Sequence, residues 1–229
     1  MRSLRAIGVV LLVGALAAGL AVHESLLRIP ARWLPPDLSR PPGALAHLQL
    51  NGLSTDGAAC RAVLGRAHLK FTPLPDRDAG KGCGFTDVVR AEAGPIAFNS
   101  RVTATCSMTA ALTWYQQRLD ALARQDLGTS ITRIDQLGTY ACRNINSATS
   151  GRLSQHATAN AIDIAAFHLA DGRTVSVLKD YGKPTPEGDF LDDAHEAACG
   201  LFNIVLGPKY NRLHANHFHL DMGPFRFCR

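Results

Sequence analysis

The 229-residue chain lacks several motifs that would identify a common class of enzyme. It contains no H-E-x-x-H sequence, which is the commonest helical arrangement in zinc proteases. None of its six cysteines forms a C-x-x-C pair, and no internal repeat or low-complexity segment follows residue 44. Evidence for a function must therefore come from shorter patterns of polar residues.

An excess of positive charge is also nearly absent from the part of the chain expected to fold. Residues 1–40 contain five arginines against Glu24 and Asp37, so the remaining residues carry only +2 of the formal net charge of +5. Proteins that bind nucleic acid need a clustered excess of lysine and arginine. We therefore expect no nucleic acid among the partners of this protein.

The first 22 residues have the pattern of an export segment. Arg2 and Arg5 precede an uncharged run from Ile7 to Val22, which is typical of a signal peptide. The run is also only slightly shorter than the roughly 20 residues of a membrane-spanning helix. Residues 1–22 are thus predicted to be either a cleaved signal peptide or an N-terminal membrane anchor. In both cases the rest is expected in the periplasm or cell envelope, and in the second case residues 7–22 would anchor it to the inner membrane.

A proline-rich segment separates this export segment from the folded domain. The stretch "RIPARWLPPDLSRPPGA" contains five prolines, which predicts an extended linker over residues 23–44. The remaining residues, 45–229, have the length and apolar content of a single domain with one core.

Helical and strand-like patterns alternate within this domain. Apolar residues recur three or four apart in "SMTAALTWYQQRLDALARQDLG", which predicts a helix ending near Gly128. A second helix is predicted from about Phe190 to Leu206, ended by Gly207-Pro208. Short β-like segments lie between the helices, so we expect an α+β fold: a small, mostly antiparallel sheet with flanking helices.

The cysteines indicate a disulfide-stabilised domain. Their number is even and they follow an export segment, which predicts three disulfides in an oxidising compartment. Pairing between nearest neighbours in sequence is the simplest expectation. It would join Cys60 to Cys83, Cys106 to Cys142 and Cys199 to Cys228.

Two predicted strands place polar groups opposite an apolar face. In "AIDIAAF", Asp163 lies on the face opposite Ile162 and Ile164, and His156 precedes it by seven residues. In "HFHLD", the same alternation places His217, His219 and Asp221 on one face, with Phe218 and Leu220 on the other. Two strands of one sheet could therefore present His156, Asp163 and His219 to a single point.

Two imidazoles and one carboxylate form a ligand set suited to Zn²⁺. Three protein ligands leave the fourth tetrahedral position to water, an arrangement typical of catalytic sites. Zinc lowers the pKa of such a water to about 7 and polarises a carbonyl group. His217 and His214 are the candidate catalytic partners, and Asp221 would orient a ligand. Taken singly, each histidine is as typical of a surface turn or a packed core residue as of a metal site.

Longer stretches of the sequence resemble a known family. "SQHATANAIDIAAF", "HANHFHLD", "LGTYACR" and "CGLFNIVLGPKYN" are similar to the bacterial extensin-like C-terminal domain family over roughly residues 45–229. That family in turn looks like a branch of the zinc peptidases of bacterial cell walls, which includes D-Ala-D-Ala carboxypeptidases, lysostaphin-type endopeptidases and a murein endopeptidase. Their shared motif is S-x-H-x-x-G-x-A-x-D followed by H-x-H.

This resemblance implies roles for individual residues. It implies zinc ligation by His156, Asp163 and His219, catalysis by His217, and substrate contacts by the two residues Arg143 and Ser154. One position departs from the motif, because Ala159 stands where relatives have glycine. A Cβ at that position puts the shape of the local turn in question.

The implied activity is hydrolysis of amide bonds in peptidoglycan peptides. The H-x-x-H-x-H spacing of His214, His217 and His219 favours an endopeptidase over a D,D-carboxypeptidase. Two alternatives remain open at this point: a non-catalytic wall-binding module that keeps the fold, and a purely structural exported domain.

Overall fold

The computed structural model describes residues 34–229. The predicted signal peptide or anchor, residues 1–22, lies outside the described residues, as does the linker up to residue 33. Within residues 34–229, no helix is long and apolar enough to cross a membrane.

The described residues form both helices and strands. The helices are α1 (Ala46–Leu53), α2 (Gly57–Arg66), α3 (Cys106–Asp126), α4 (Val177–Asp180) and α5 (Pro186–Cys199). The strands are β1 (Lys70–Pro73), β2 (Arg77–Gly80), β3 (Cys83–Phe85), β4 (Val88–Ala93), β5 (Ala97–Phe98), β6 (Val102–Thr105), β7 (Ile131–Gly138), β8 (Ala161–Leu169), β9 (Thr174–Ser176), β10 (Ile204–Leu206), β11 (Phe218–Asp221) and β12 (Phe227–Cys228).

A seven-stranded sheet dominates the fold. Its strand order is β12-β10-β11-β8-β7-β5, and β9 pairs with the outer part of β8. Most pairs are antiparallel, whereas β5 with β7 and β10 with β12 are parallel. A three-stranded sheet, β1-β4-β6, and the hairpin β2-β3 complete the strands among residues 34–229. The mixed α+β class is thus confirmed, but the predicted single small sheet is in fact a larger one with two smaller sheets.

The core lies between the apolar face of the large sheet and the helices. Ile162 and Leu220 of the central strands are fully buried there. Phe167 of β8 packs edge-to-face on Phe190 of α5, with ring centroids 5.3 Å apart. Full burial of each such ring contributes about 1.5–3 kcal/mol. Because side chains alternate along a strand, burial of Ile162 and Leu220 directs Asp163 of β8 and His219 of β11 to the opposite face.

The second predicted helix differs from the structure at both ends. Helix α5 begins at Pro186, where the side-chain oxygen of Thr185 accepts a hydrogen bond from the backbone of Gly188 at 3.2 Å. It ends at Cys199, and Ile204–Leu206 form strand β10 between β11 and β12. The prediction was wrong here because the apolar spacing after Gly200 fits a buried strand as well as a helix.

Part of the proline-rich segment packs on the domain. Leu38 is 2% exposed and belongs to the hydrophobic core. Trp114 of α3 donates its indole hydrogen to the carbonyl of Arg40 at 2.8 Å, and Gln117 donates to the carbonyl of Leu38 at 2.7 Å. The linker prediction for residues 23–44 did not include these contacts.

Three disulfides form, but two of the predicted pairings were wrong. Cys199 pairs with Cys228 as expected. The others join Cys60 of α2 to Cys106 at the start of α3, and Cys83 of β3 to Cys142. Nearest-neighbour pairing fails because α2 packs on α3, which places residues 46 positions apart in direct contact. Three disulfides indicate an extracellular or periplasmic environment.

Candidate metal centre

Two neighbouring strands bring the predicted ligands together. Strands β8 and β11 are antiparallel, and their register places His219 directly opposite Asp163. Phe218 and Ile164, the next pair along, belong to the hydrophobic core. Asp163 and His219 therefore lie on the polar face of the sheet, both 8% exposed.

His156 reaches the same point from a short 3₁₀ turn, Gln155–Thr158. The side-chain oxygen of Ser154 accepts a hydrogen bond from the backbone of His156 at 3.3 Å and caps this turn. Ala159 ends it in the left-handed conformation, with φ of 55°, and the backbone of Thr105 donates to its carbonyl at 2.9 Å. The turn thus forms with alanine in the position of the motif glycine, at the steric cost of a left-handed non-glycine residue.

Three side-chain atoms of this cluster form a nearly equilateral triangle. His156 Nε2 lies 3.2 Å from Asp163 Oδ1 and 3.2 Å from His219 Nδ1, and His219 Nδ1 lies 3.0 Å from Asp163 Oδ1. Tetrahedral ligands bonded to zinc at about 2.0–2.1 Å are about 3.3 Å apart. The spacing of the three atoms therefore fits one zinc ion.

Hydrogen bonds on the outer sides of both imidazoles determine which nitrogen carries a proton. His156 Nδ1 lies 3.3 Å from the carbonyl of Thr139, and His219 Nε2 lies 3.1 Å from the carboxylate of Asp221. Both partners are acceptors, so these outer nitrogens are the donors. In the neutral form of these tautomers, the inner nitrogens direct lone pairs toward the centre of the triangle, where either a proton shared with Asp163 or a metal ion can bind, and carboxylate and carbonyl groups on the outer side are typical support for metal ligands.

The electrostatics of these side chains favour a positive charge at the centre of the triangle. Burial opposes ionisation of Asp163, but hydrogen bonds from His156 and His219 hold the pKa of this carboxyl well below its usual range. Burial likewise opposes protonation of His219, but its bonds to Asp163 and Asp221 raise its pKa to about 9. The surroundings of the cluster thus stabilise a cation.

The two remaining predicted histidines lie beside the triangle. His217 Nε2 is 3.6 Å from Asp163 Oδ1, and the His217 side chain is 13% exposed. The ring of His214 lies 5.1 Å from that of His217. Burial is the main cause that lowers the pKa of His217, and it lowers the pKa of His214 to about 4. Both imidazoles are therefore neutral at pH 7.

The triangle opens into a groove of about 520 Å³ between two walls. The first wall is the loop from Arg143 to Ser154, and the second comprises residues 210–214 and 223–227. Each wall is tied to the domain by a disulfide, Cys83–Cys142 beside the first and Cys199–Cys228 beside the second.

The predicted substrate-binding residues occupy different places in the groove. Arg143 lies at its edge, with a guanidinium nitrogen 3.9 Å from Asp163 Oδ2. Ser154 also borders the groove but is 7% exposed, and its hydroxyl caps the turn that carries His156. Ser154 therefore contributes to the position of His156, which is a predicted ligand.

Two supporting groups were not identified from the sequence. The carbonyl of Thr139 accepts a hydrogen bond from His156 Nδ1. Thr139 lies within the "LGTYACR" stretch that carries the resemblance, but no role was predicted for it. Buried Asn203 donates to the carbonyl of Gly223, whose backbone nitrogen donates to Asp221 Oδ1 at 2.8 Å. Backbone acceptors and asparagine networks leave no spacing pattern, so only the structure reveals them.

A second group with ligand-type side chains does not form a metal site. His195, Cys199 and Cys228 lie within ligand distance of one another. Both cysteines are joined to each other in a disulfide and so provide no thiolate. Within residues 34–229, the cluster of His156, Asp163 and His219 is therefore the one group suited to a metal.

Comparison with known proteins identifies the family. The family model described as extensin-like protein C-terminus matches residues 58–229, which include every residue of the cluster and all six cysteines. No curated protein and no solved structure matches the chain. The match covers most of the chain, and the protein therefore belongs to the family of extensin-like protein C-terminal domains.

Proposed function

We propose that the protein is a zinc-dependent hydrolase that cleaves amide bonds in peptidoglycan peptides. The observation that carries the proposal is the triangle of His156, Asp163 and His219, whose ligand atoms are 3.0–3.2 Å apart at the base of an open groove. Structural zinc sites usually close all four positions with cysteine or histidine. Three ligands facing a groove favour catalysis.

Zinc held by these residues would polarise a carbonyl group and make water a nucleophile at neutral pH. The chain supplies the proton transfer. His217 Nδ1 lies 2.8 Å from the side-chain oxygen of Asn216, an acceptor, so Nδ1 carries the hydrogen and Nε2 a lone pair. Because His217 is neutral at pH 7 and its Nε2 lies near Asp163, it can accept a proton from the attacking water.

The other polar residues of the groove hold and stabilise the substrate in this proposal. The guanidinium of Arg143 carries a positive charge and lies 3.9 Å from Asp163 Oδ2. It can therefore stabilise negative charge on the carbonyl oxygen under attack. His214 packs beside His217 and restricts the orientation of its ring. The assignment of endopeptidase rather than D,D-carboxypeptidase rests on the resemblance and on the H-x-x-H-x-H spacing.

The substrate class follows from the compartment and the resemblance. Three disulfides favour an extracellular or periplasmic environment. In a bacterial envelope, which the resemblance implies, peptidoglycan is the polymer with peptide cross-links. We propose that the protein is exported to the periplasm or cell envelope, with residues 7–22 as part of a signal peptide or as an inner-membrane anchor. The zinc peptidases of the cell wall that the sequence resembles act on the same polymer.

His217→Ala provides the direct test. We expect the wild-type chain to bind about one zinc and to change the profile of purified cross-linked muropeptides, whereas His217→Ala keeps the zinc and loses activity about 10²–10⁴-fold. Zinc content is measured by atomic emission and digestion by chromatography of the products. His168→Ala is the matched control. It removes a histidine of β8 that is hydrogen-bonded to Asp135 and does not border the groove, so this variant should retain activity. Wild type that binds zinc but leaves every muropeptide intact would instead support a wall-binding module.

Asp221→Ala is expected to weaken zinc binding without abolishing it. The change removes the carboxylate that holds His219 Nε2 at 3.1 Å, so the ligand loses its fixed orientation. Loss of such supporting groups typically weakens metal binding by about 10–100-fold. Competition with a fluorescent chelator measures the affinity. Asp221→Asn, which keeps an acceptor oxygen, should lie between Ala and wild type, and an unchanged affinity in both variants would contradict the supporting role.

A further inference from the structure

The groove contains an unusual share of the apolar side chains that the domain exposes. Eight large apolar side chains are exposed among residues 34–229, and five of them border this groove. We call these five the apolar rim: Ile145, Tyr210, Leu213, Phe225 and Phe227. Contiguous exposed apolar surface beside polar groups is typical of a ligand-binding site. The rim includes Ile145 of the first wall, and its other four residues belong to the second wall.

The charges of the groove are unbalanced in favour of arginine. Its acidic residues are Asp163 and Asp221, and both are engaged by the histidines of the metal centre. Its basic residues other than histidine are Arg143 and Arg152. Arg152 is exposed and has no ion-pair partner among the described residues, whereas Arg143 has only the long contact to Asp163.

Arg152 is nevertheless held in place. Its guanidinium carbon lies 5.3 Å from the centre of the Phe225 ring, on the opposite wall of the groove. Its backbone carbonyl accepts a hydrogen bond from Ile145 at 2.9 Å, and Ser154 donates to the carbonyl of Arg143 at 3.0 Å. The two arginines therefore occupy the two arms of one loop. Stacking of a guanidinium on an aromatic ring leaves its edge free to donate hydrogen bonds.

We propose that Arg152 determines specificity by binding a carboxylate of an extended peptide whose neighbouring apolar part contacts the apolar rim. A guanidinium edge matches a carboxylate in two parallel hydrogen bonds, which a neutral amide does not reproduce. The inference rests on the proposed function, because it takes a wall peptide as the molecule that enters the groove. It adds the chemical feature by which the protein selects among such peptides.

The test compares two forms of one cross-linked stem-peptide dimer, with free carboxylates and with the same groups converted to carboxamides. Binding is measured by calorimetry on the zinc-loaded full chain carrying His217→Ala, which prevents turnover. We expect the free acid to bind at least about tenfold more tightly than the carboxamide, the scale of one charge-assisted hydrogen-bond pair. Adding Arg152→Gln should reduce this preference to about twofold or less, with zinc content unchanged.

Arg118→Gln is the matched control, since Arg118 is an exposed arginine of α3 that does not border the groove. It should keep the full preference. Equal binding of acid and carboxamide, or a preference that survives Arg152→Gln, overturns the inference, as does competition by the disaccharide without peptide. The proposed function is judged separately, by hydrolysis with the wild-type chain. Equal hydrolysis of both forms refutes the role of Arg152 and leaves the proposed hydrolase activity standing. Tighter binding of the free acid without hydrolysis of either form refutes the hydrolase activity and leaves the role of Arg152 standing.

Discussion

Asp163→Asn is expected to weaken zinc binding by about a hundredfold to a thousandfold and to abolish hydrolysis of muropeptides. Zinc sites with four ligands supply about 10–16 kcal/mol, so one ligand corresponds to about 2.5–4 kcal/mol. Each 1.4 kcal/mol is a tenfold change in affinity. The amide keeps the size of the side chain but removes the negative charge that His156, His217 and His219 all face. Chelator competition measures the affinity, and product chromatography measures hydrolysis.

Asp135→Asn is the matched control for this substitution. Asp135 also accepts a hydrogen bond from a histidine, with its Oδ2 2.6 Å from His168 Nε2, but it lies away from the groove. We expect its zinc affinity and activity to equal those of wild type. Asp163→Asn with unchanged zinc affinity would show that the triangle is not the metal site.

Joint replacement of Cys60 and Cys106 by alanine is expected to lower the free energy of unfolding by about 4 kcal/mol. The disulfide spans 46 residues, and a cross-link of that length removes much of the entropy of the unfolded chain. Both cysteines are almost completely buried, so their loss also leaves space between α2 and α3. Urea denaturation followed by circular dichroism measures the change.

The comparison variant replaces Cys199 and Cys228, which span 29 residues and include an exposed half-cystine at Cys228. We expect a smaller loss of stability from this variant, because the closed loop is shorter and less apolar surface becomes vacant. An equal or larger loss would mean that the contact between α2 and α3 contributes less to the core than its burial indicates.

The central strands of the site could be predicted because their patterns permit one register. Large apolar side chains stand on both sides of Asp163 in β8 and of His219 in β11, and a shift by one residue would turn Ile162 and Phe218 out of the core. Burial of these residues thus forces Asp163 and His219 onto one face. The alternation in these two segments is therefore sufficient to predict that Asp163 and His219 meet, whereas the place of His156 depends on the turn that precedes β8.

Other features could not be predicted because they depend on contacts between segments that are far apart in the sequence, and no local pattern records such contacts. Strand β10 has apolar residues at intervals that also suit a helix, and only its pairing with β11 distinguishes the two. The partner of Cys60 depends on how α2 lies on α3. Likewise, Arg152 and Phe225 are far apart in sequence and meet only across the groove.

The two disulfides beside the groove have a consequence for assembly in a reducing compartment. Strands β8 and β11, which carry Asp163 and His219, are held by backbone hydrogen bonds and core packing, and no disulfide within residues 34–229 reaches either of them. The two walls of the groove, in contrast to these strands, are directly attached to disulfides, because Cys142 is next to Arg143 and Cys228 is next to Phe227. Thiol reduction would therefore loosen the two walls of the groove before it disturbs Asp163 and His219. His156 differs, because its backbone carbonyl accepts a hydrogen bond from Ala141, next to Cys142, so its turn would loosen together with the first wall. A reduced chain would thus keep two residues of the triangle in place while the third residue and the surfaces of the groove are less well ordered.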